Sequence, residues 1–294
     1  MKKGIWMSLL AIMLFVSACN QQSAETSKES SSEEGEQEEV KDKKEEEKPV
    51  KEDNTTSATN TEDEKQSETD ADKEEDQTAT ESTPAKPQYE LTESWDVKPI
   101  DDAEEKVVLL TIDDAPDKHA LQMAKTLKDL DAPAIFFVNG HFLNTEEEKN
   151  IVKEIHDMGF AIGNHTMDHQ NLTTVSQEEQ KAQITPLSNL IEEVIGERPE
   201  FFRAPHGANT DYSKQVVEQE NMLLMNWTYG YDWNKEYMTE DAIADIMVNT
   251  NLLHNGANLL MHDREWTAKA LDDIVKGLRE KGYTFVNPDE IKTP

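Results

Sequence analysis

Nine ionisable groups stand directly after short apolar runs of this sequence: Asp113 and Asp114, His165 and His169, Arg203 and His206, Asp232, and His262 with Asp263. His165 and His169 are four positions apart and flank Thr166, Met167 and Asp168, so one turn of helix or a tight loop aims both imidazoles at one point. With a carboxylate such as Asp114 they make a two-histidine, one-carboxylate set. That is donor chemistry for one divalent cation, Zn2+ first and Co2+, Ni2+ or Mn2+ after it, with a position left open for water. Two adjacent aspartates repel each other unless a cation or a division of labour separates them. One then binds the cation while the other takes a proton from the attacking water. Neither signal decides alone: a histidine pair at this spacing also occurs on ordinary surfaces, and Asp-Asp-Ala-Pro also makes a solvated turn. The stronger argument for an active site is that five apolar runs deliver polar groups to one end of a domain.

The elements that position these groups follow from the apolar pattern. Seven runs read as strands: Val107 to Ile112, Ala134 to Val138, Phe160 to Gly163, Phe201 to Ala204, Met222 to Thr228, Asn258 to Met261 and Tyr283 to Val286. Amphipathic stretches between them read as helices. Thr145 with Glu148, and Ser176 with Glu179, match capping boxes, and Gly159, Gly196 and Gly282 stand where helices should stop. Strand and helix alternate about seven times over residues 89–294, which predicts an α/β domain, either a parallel barrel or a doubly wound sheet. Both architectures bind ligands at the C-terminal ends of their strands.

The first 88 residues are of another kind. Met1-Lys2-Lys3, a mostly apolar stretch from Ile5 to Val16, and Ser17-Ala18-Cys19 have the layout of an export signal over residues 1–19. The apolar run falls short of the ~20 residues of a membrane-spanning helix. Small residues before the single cysteine resemble the lipobox of bacterial lipoproteins, which implies lipidation at Cys19 and an extracytoplasmic protein anchored to the cell membrane. From Asn20 to Gln88 there are 23 acidic residues against 9 basic ones and no aromatic residue, too little apolar surface to offset chain entropy. This stretch is expected to be a disordered acidic linker that tethers the domain. A formal net charge of -33 also argues against nucleic acid as a partner.

In their order along the chain, the motifs of the domain resemble those of the NodB homology domain of carbohydrate esterase family 4, the polysaccharide deacetylases. Thr111-Ile112-Asp113-Asp114 resembles the first motif, which implies Asp113 as general base and Asp114 as metal ligand. His165-Thr166-Met167-Asp168-His169 resembles the second, with both histidines on the metal. Arg203-Ala204-Pro205-His206-Gly207 resembles the third, where the arginine supports the catalytic aspartate and the backbone N–H of His206 holds the oxyanion. Asp232-Trp233 resembles the end of the fourth, an acid that orients the catalytic histidine beside an aromatic groove wall, and Leu260-Met261-His262 the fifth, with His262 as general acid. The resemblance implies a distorted (β/α) barrel with about seven parallel strands and metal-assisted removal of N-acetyl groups from amino sugars. A tethered enzyme outside the membrane meets peptidoglycan first, with chitin oligomers, an exported biofilm glycan and O-acetylated xylan as other substrates, and a monomer is expected.

Three positions depart from the family pattern: Ala115 for glycine, His206 for tyrosine, and Tyr229 for an acid. They motivate the alternative of a wall-binding lipoprotein that keeps the fold with weak or no catalysis. Among the aromatic residues near the last motifs, Trp233 and Tyr231 are expected to face a substrate groove, and Trp227 and Trp266 to pack.

Overall fold

The computed structural model describes residues 86–294; the leader expected at 1–19, the lipidation site Cys19 and nearly all of the linker expected at 20–88 lie outside the described residues. A short antiparallel pair, β1 (Tyr89–Leu91) and β2 (Val97–Pro99), comes first. Strands and helices then alternate: β3 (Val107–Ala115), α1 (Ala120–Asp129), β4 (Ala134–Val138), α2 (Glu146–Asp157), β5 (Ala161–Asn164) and α3 (Gln177–Ile195). They continue as β6 (Phe201–Phe202), α4 (Asp211–Gln219), β7 (Leu223–Leu224), α5 (Glu240–Asn249), β8 (Ala257–His262), α6 (Glu265–Glu280) and β9 (Thr284–Phe285). Among the described residues no helix is long and apolar enough to cross a membrane.

The seven strands β3 to β9 form one parallel sheet in the order β7-β6-β5-β4-β3-β8, with β9 beside the first residues of β3. All nine residues of β3 are buried, as a central strand covered on both faces requires. Its alternate residues serve two cores. Val108, Leu110 and Ile112 pack outward with Leu271, Ile274 and Leu278 of α6, while Val107 and Leu109 join Ile135, Phe137, Phe201 and Met225 inside the curl of the sheet. The curl brings the segment after β7 back to β8, where Tyr229 bridges to Leu259. Leu260 donates its N–H to Tyr229 O at 2.8 Å, and Thr228 donates to Asn258 O at 2.8 Å. The architecture is therefore the distorted α/β barrel expected, an open curl whose ends meet over one short seam.

Local details refine the sequence reading. The runs expected at 201–204 and 222–228 shorten to two residues each, because the next backbone groups serve side chains. Arg203 O accepts from His165 Nδ1, and Asn226 O accepts from Arg203 and Asn258. The Thr145–Glu148 box is complete, whereas only half of the one at Ser176 forms, since the Glu179 carboxylate accepts from Gln183 instead. A further box, Thr210–Ser213, starts α4. Gly159, Gly196 and Gly282, with φ of 94°, 91° and 85°, end their helices in the left-handed conformation that a side chain would oppose.

Candidate active site and metal centre

Adjacent residues of a strand point to opposite faces, so two neighbouring aspartates should not reach one site. The structure solves this with a bulge. Ile112 pairs with Phe136 and Ala115 with Val138, so β3 spends one residue more than β4 over the same length, and Asp114 takes φ 64°. Bulges re-aim side chains in this way beside active sites, and aspartate is among the few side chains that tolerate a left-handed backbone. The Asp113-Asp114 pair thus belongs to a strand end rather than to a solvated turn.

The histidine loop is not a helical turn. Thr166 and His169 both have positive φ, 70° and 53°, and the loop is pinned from outside. Gln183 of α3 accepts the Asp168 N–H at 2.8 Å and donates to the Asp168 carboxylate at 2.8 Å, while Gly140 donates its N–H to Thr166 O. His165 Nδ1 lies 2.7 Å from Arg203 O; a carbonyl only accepts, so Nδ1 carries the proton and Nε2 keeps its lone pair. That Nε2 lies 3.6 Å from Asp113 Oδ2 and 3.9 Å from Asp114 Oδ1. His169 Nε2 lies 3.4 Å from Asp114 Oδ1.

Asp114, His165 and His169 each offer one donor atom, and the three atoms lie within 4.8 Å of one another. Their chemistry fits a divalent cation. Burial, reinforced by the neighbouring His165, pulls the His169 imidazole down to about 4, so it offers a lone pair at neutral pH. Burial pushes the Asp114 carboxyl up, but the positive potential of His165, His262, His169 and Arg264 outweighs it and holds the group below the usual carboxylate range. Two imidazoles and one carboxylate make the donor set of a catalytic site.

Inside the curl, Arg203 is fully buried. Its Nη1 donates to Asp113 Oδ1 at 2.7 Å and to Thr111 Oγ1 at 2.8 Å, and its Nη2 donates to Asn226 O at 2.8 Å. The guanidinium stacks 4.4 Å from the Phe137 ring centroid. Asp113 is therefore fixed by one oxygen, and its other oxygen faces His165.

Asp113 is paired in register with His262 of β8, so their backbones stand about 4.8 Å apart. His262 Nδ1 lies 2.7 Å from Asp232 Oδ1, whose Oδ2 accepts from the Thr267 hydroxyl at 2.8 Å. Burial alone would push the His262 imidazole down, but the Asp232 hydrogen bond and charge, with those of Asp113 and Asp114, hold it above the usual histidine range. Trp233 is 44% exposed and presents its ring edge-on to His262, with centroids 5.4 Å apart.

The other expected residues fall as follows. His206 has φ 59° in the turn Pro205–Gly207, and its ring stands edge-to-face with His169 at 5.1 Å. Tyr231 is not with the site group: its hydroxyl pairs with Thr250 Oγ1 at 2.6 Å, and its ring packs on Tyr229 and Tyr237. Trp227, expected in the core, lies between Arg203 and Trp233. Trp266 does pack, donating its indole N–H to Asp232 O. Tyr229, which stands where an acid was expected, is buried with its hydroxyl donating to Met247 O.

Two residues had no role assigned from the sequence. Asp263 accepts the N–H groups of Lys118, His119 and Ala120, fastening the start of α1. Arg264 Nη2 donates to Asp114 Oδ2 at 2.7 Å.

Residues 100–224 match the family model described as polysaccharide deacetylase. A peptidoglycan-N-acetylglucosamine deacetylase of Bacillus cereus is 32% identical over 169 residues, which are 54% of this chain and 58% of the relative. The chain spans 58% to 64% of the length of that protein and of two further curated relatives. Among solved structures, a peptidoglycan N-acetylglucosamine deacetylase superposes with a TM-score of 0.56 at 31% identity, covering 63% of this chain and 87% of that one. A CE4 family pseudoenzyme from Bacillus anthracis superposes with a TM-score of 0.57 at 29% identity, covering 64% and 67%.

Proposed function

The chain belongs to the polysaccharide deacetylases of carbohydrate esterase family 4, and from that premise we propose that it hydrolyses N-acetyl groups of amino sugars in a cell-wall glycan, most naturally peptidoglycan, with a divalent cation, zinc first, on Asp114, His165 and His169. The observation that carries this reading is the placement of an arginine-held aspartate, Asp113, in register with an aspartate-held histidine, His262, beside that donor set.

A bound divalent cation supplies Lewis acidity that polarises the acetyl carbonyl and acidifies water. Asp113 takes a proton from the attacking water as its oxygen bonds to the carbonyl carbon. Arg203 holds one oxygen of Asp113 and leaves the other facing the site. The backbone N–H of His206 donates to the carbonyl oxygen as it gains negative charge. His262, protonated and oriented by Asp232, gives its proton to the sugar nitrogen as the carbon–nitrogen bond breaks, so acetate and a free amine leave. The exposed ring of Trp233 beside His262 gives the apolar face of a sugar ring a place to stack.

The pseudoenzyme relative keeps a binding-only role in play. The ion pairs around Asp113 and His262 favour turnover, since both groups that move protons are present and held. We also propose export and lipid anchoring through Cys19, supported by the sequence Ser17-Ala18-Cys19; a Cys19→Ser protein that stays in the membrane fraction after signal cleavage would refute it.

The deciding experiment measures acetate release from peptidoglycan and from N-acetylglucosamine oligomers, with added zinc and with chelator. Metal-dependent release that disappears in Asp113→Asn and His262→Ala supports the enzyme. Glycan binding without acetate release by a folded, zinc-loaded protein establishes the binding-only role.

A further inference from the structure

Arg264 and Asp114 form an ion pair at the mouth of the site, and its geometry divides the labour of one carboxylate. Asp114 Oδ1 faces both imidazoles, 3.4 Å from His169 Nε2 and 3.9 Å from His165 Nε2. Asp114 Oδ2 is turned away from them and accepts from Arg264 Nη2 at 2.7 Å. A charge-assisted hydrogen bond of this length is among the stronger polar contacts in a protein, so the carboxylate is locked in rotation about its own axis.

Arg264 is itself held at several points. It precedes the first turn of α6, its backbone N–H donates to His262 O at 2.8 Å, and its Nη1 donates to Asp263 O at 3.0 Å. Asp263 in turn is fixed by three backbone N–H groups at the start of α1. The Asp117 carboxylate lies 3.7 Å from Arg264 Nη1, which offsets the repulsion a guanidinium would exert on a nearby cation. What remains as the contribution of Arg264 is direction.

We propose that Arg264 is a positioning residue that restricts Asp114 to one-oxygen ligation, so that a second carboxylate oxygen does not take the coordination position needed for water or for the acetyl oxygen. The proposal rests on the metal reading above. Three protein ligands with one open position distinguish a catalytic zinc set from a closed structural one, and a carboxylate free to turn would close it by binding through both oxygens. The inward-facing oxygen of Asp114 is the one that would hold the cation, while the other is engaged by Arg264.

The test loads purified full-length protein with Co2+ and follows its visible absorption during titration with acetate. Wild-type protein should bind Co2+ and show an acetate-dependent spectral change. Arg264→Met should keep Co2+ but show weaker absorption, as higher coordination gives, and should weaken acetate binding about 10-fold or more, the scale of losing an outer-shell partner. Arg264→Lys, which can still donate to Asp114 Oδ2, should recover much of the acetate affinity. Identical spectra and acetate affinity in wild type and Arg264→Met, both loaded with Co2+, would overturn the positioning role while leaving the metal site intact. Failure of the wild-type protein to bind Co2+ would overturn both.

Discussion

Asp232 grips His262 twice: its Oδ1 lies 2.7 Å from the imidazole Nδ1, and its Oδ2 accepts the backbone N–H of the same residue at 2.6 Å. The carboxylate thus fixes ring, tautomer and strand end together. It is fully buried, so its charge acts on the imidazole with little screening by water.

Replacing that carboxylate should move the pH profile. The proposed acid form of His262 is present below its pKa and lost as pH rises through it, and Asp232 holds that pKa above the usual histidine range. In Asp232→Asn the alkaline limb of kcat/KM should therefore shift to lower pH, and kcat near neutrality should fall about 10²- to 10⁴-fold. An unchanged limb would remove Asp232 from this role.

Arg203 and Asp113 should separate stability from chemistry. Arg203→Met leaves a buried carboxylate without its partner and should lower unfolding stability by about 3–5 kcal/mol, read from urea denaturation. Asp113→Asn should abolish turnover while zinc binding, followed by competition with a chromophoric chelator, stays near wild type. Loss of zinc in Asp113→Asn would place Asp113 among the ligands instead.

Gly230 leaves no room for a side chain. A Cβ there would stand 2.5 Å from Leu260 O and 2.8 Å from the Trp233 ring, and the strand backbone cannot yield freely. Gly230→Ala should cost about 1–3 kcal/mol and lower activity further by shifting Trp233. A variant with wild-type melting temperature and turnover would contradict the packing described.

Trp233 should matter to the substrate and little to the fold. With the residue 44% exposed, Trp233→Ala should change stability by no more than about 0.5 kcal/mol. It should raise KM for glycan oligomers up to about tenfold, equivalent to about 1.4 kcal/mol, with kcat little altered. An unchanged KM would show that the substrate passes elsewhere.

Much of this site was legible because the barrel writes its chemistry at strand ends. Asp113, Asp114, His165, His169, Asp232 and His262 each follow an apolar run, and the resemblance to the deacetylase motifs assigned their roles. What the pattern hid depends on rotation and pairing. A period of two cannot show that a bulge turns Asp113 and Asp114 into one site. Tyr231 and Trp227 sit in the same short aromatic run, and only the packing of α5 and the stacking near Arg203 distinguish them. Arg264 carried no signal, since an arginine before a helix is commonplace and its partner lies 150 positions away. The two-residue strands β6 and β7 were read as longer because their apolar runs continue after the ladder has ended.

The seam between Tyr229 and Leu259 gives the molecule a preferred place to breathe. Long ladders on both sides of β3 tie up most of the sheet, whereas the seam is one bridge with a few backbone hydrogen bonds. Native-state amide exchange should therefore release Thr228 and Leu260 through smaller openings than Leu110 or Phe136. Asp232 stands on one bank of that seam and His262 on the other, so each such opening disconnects the acid from its orienting carboxylate while the barrel around it stays folded. The fraction of molecules in which the seam is closed sets an upper bound on the fraction competent at any instant.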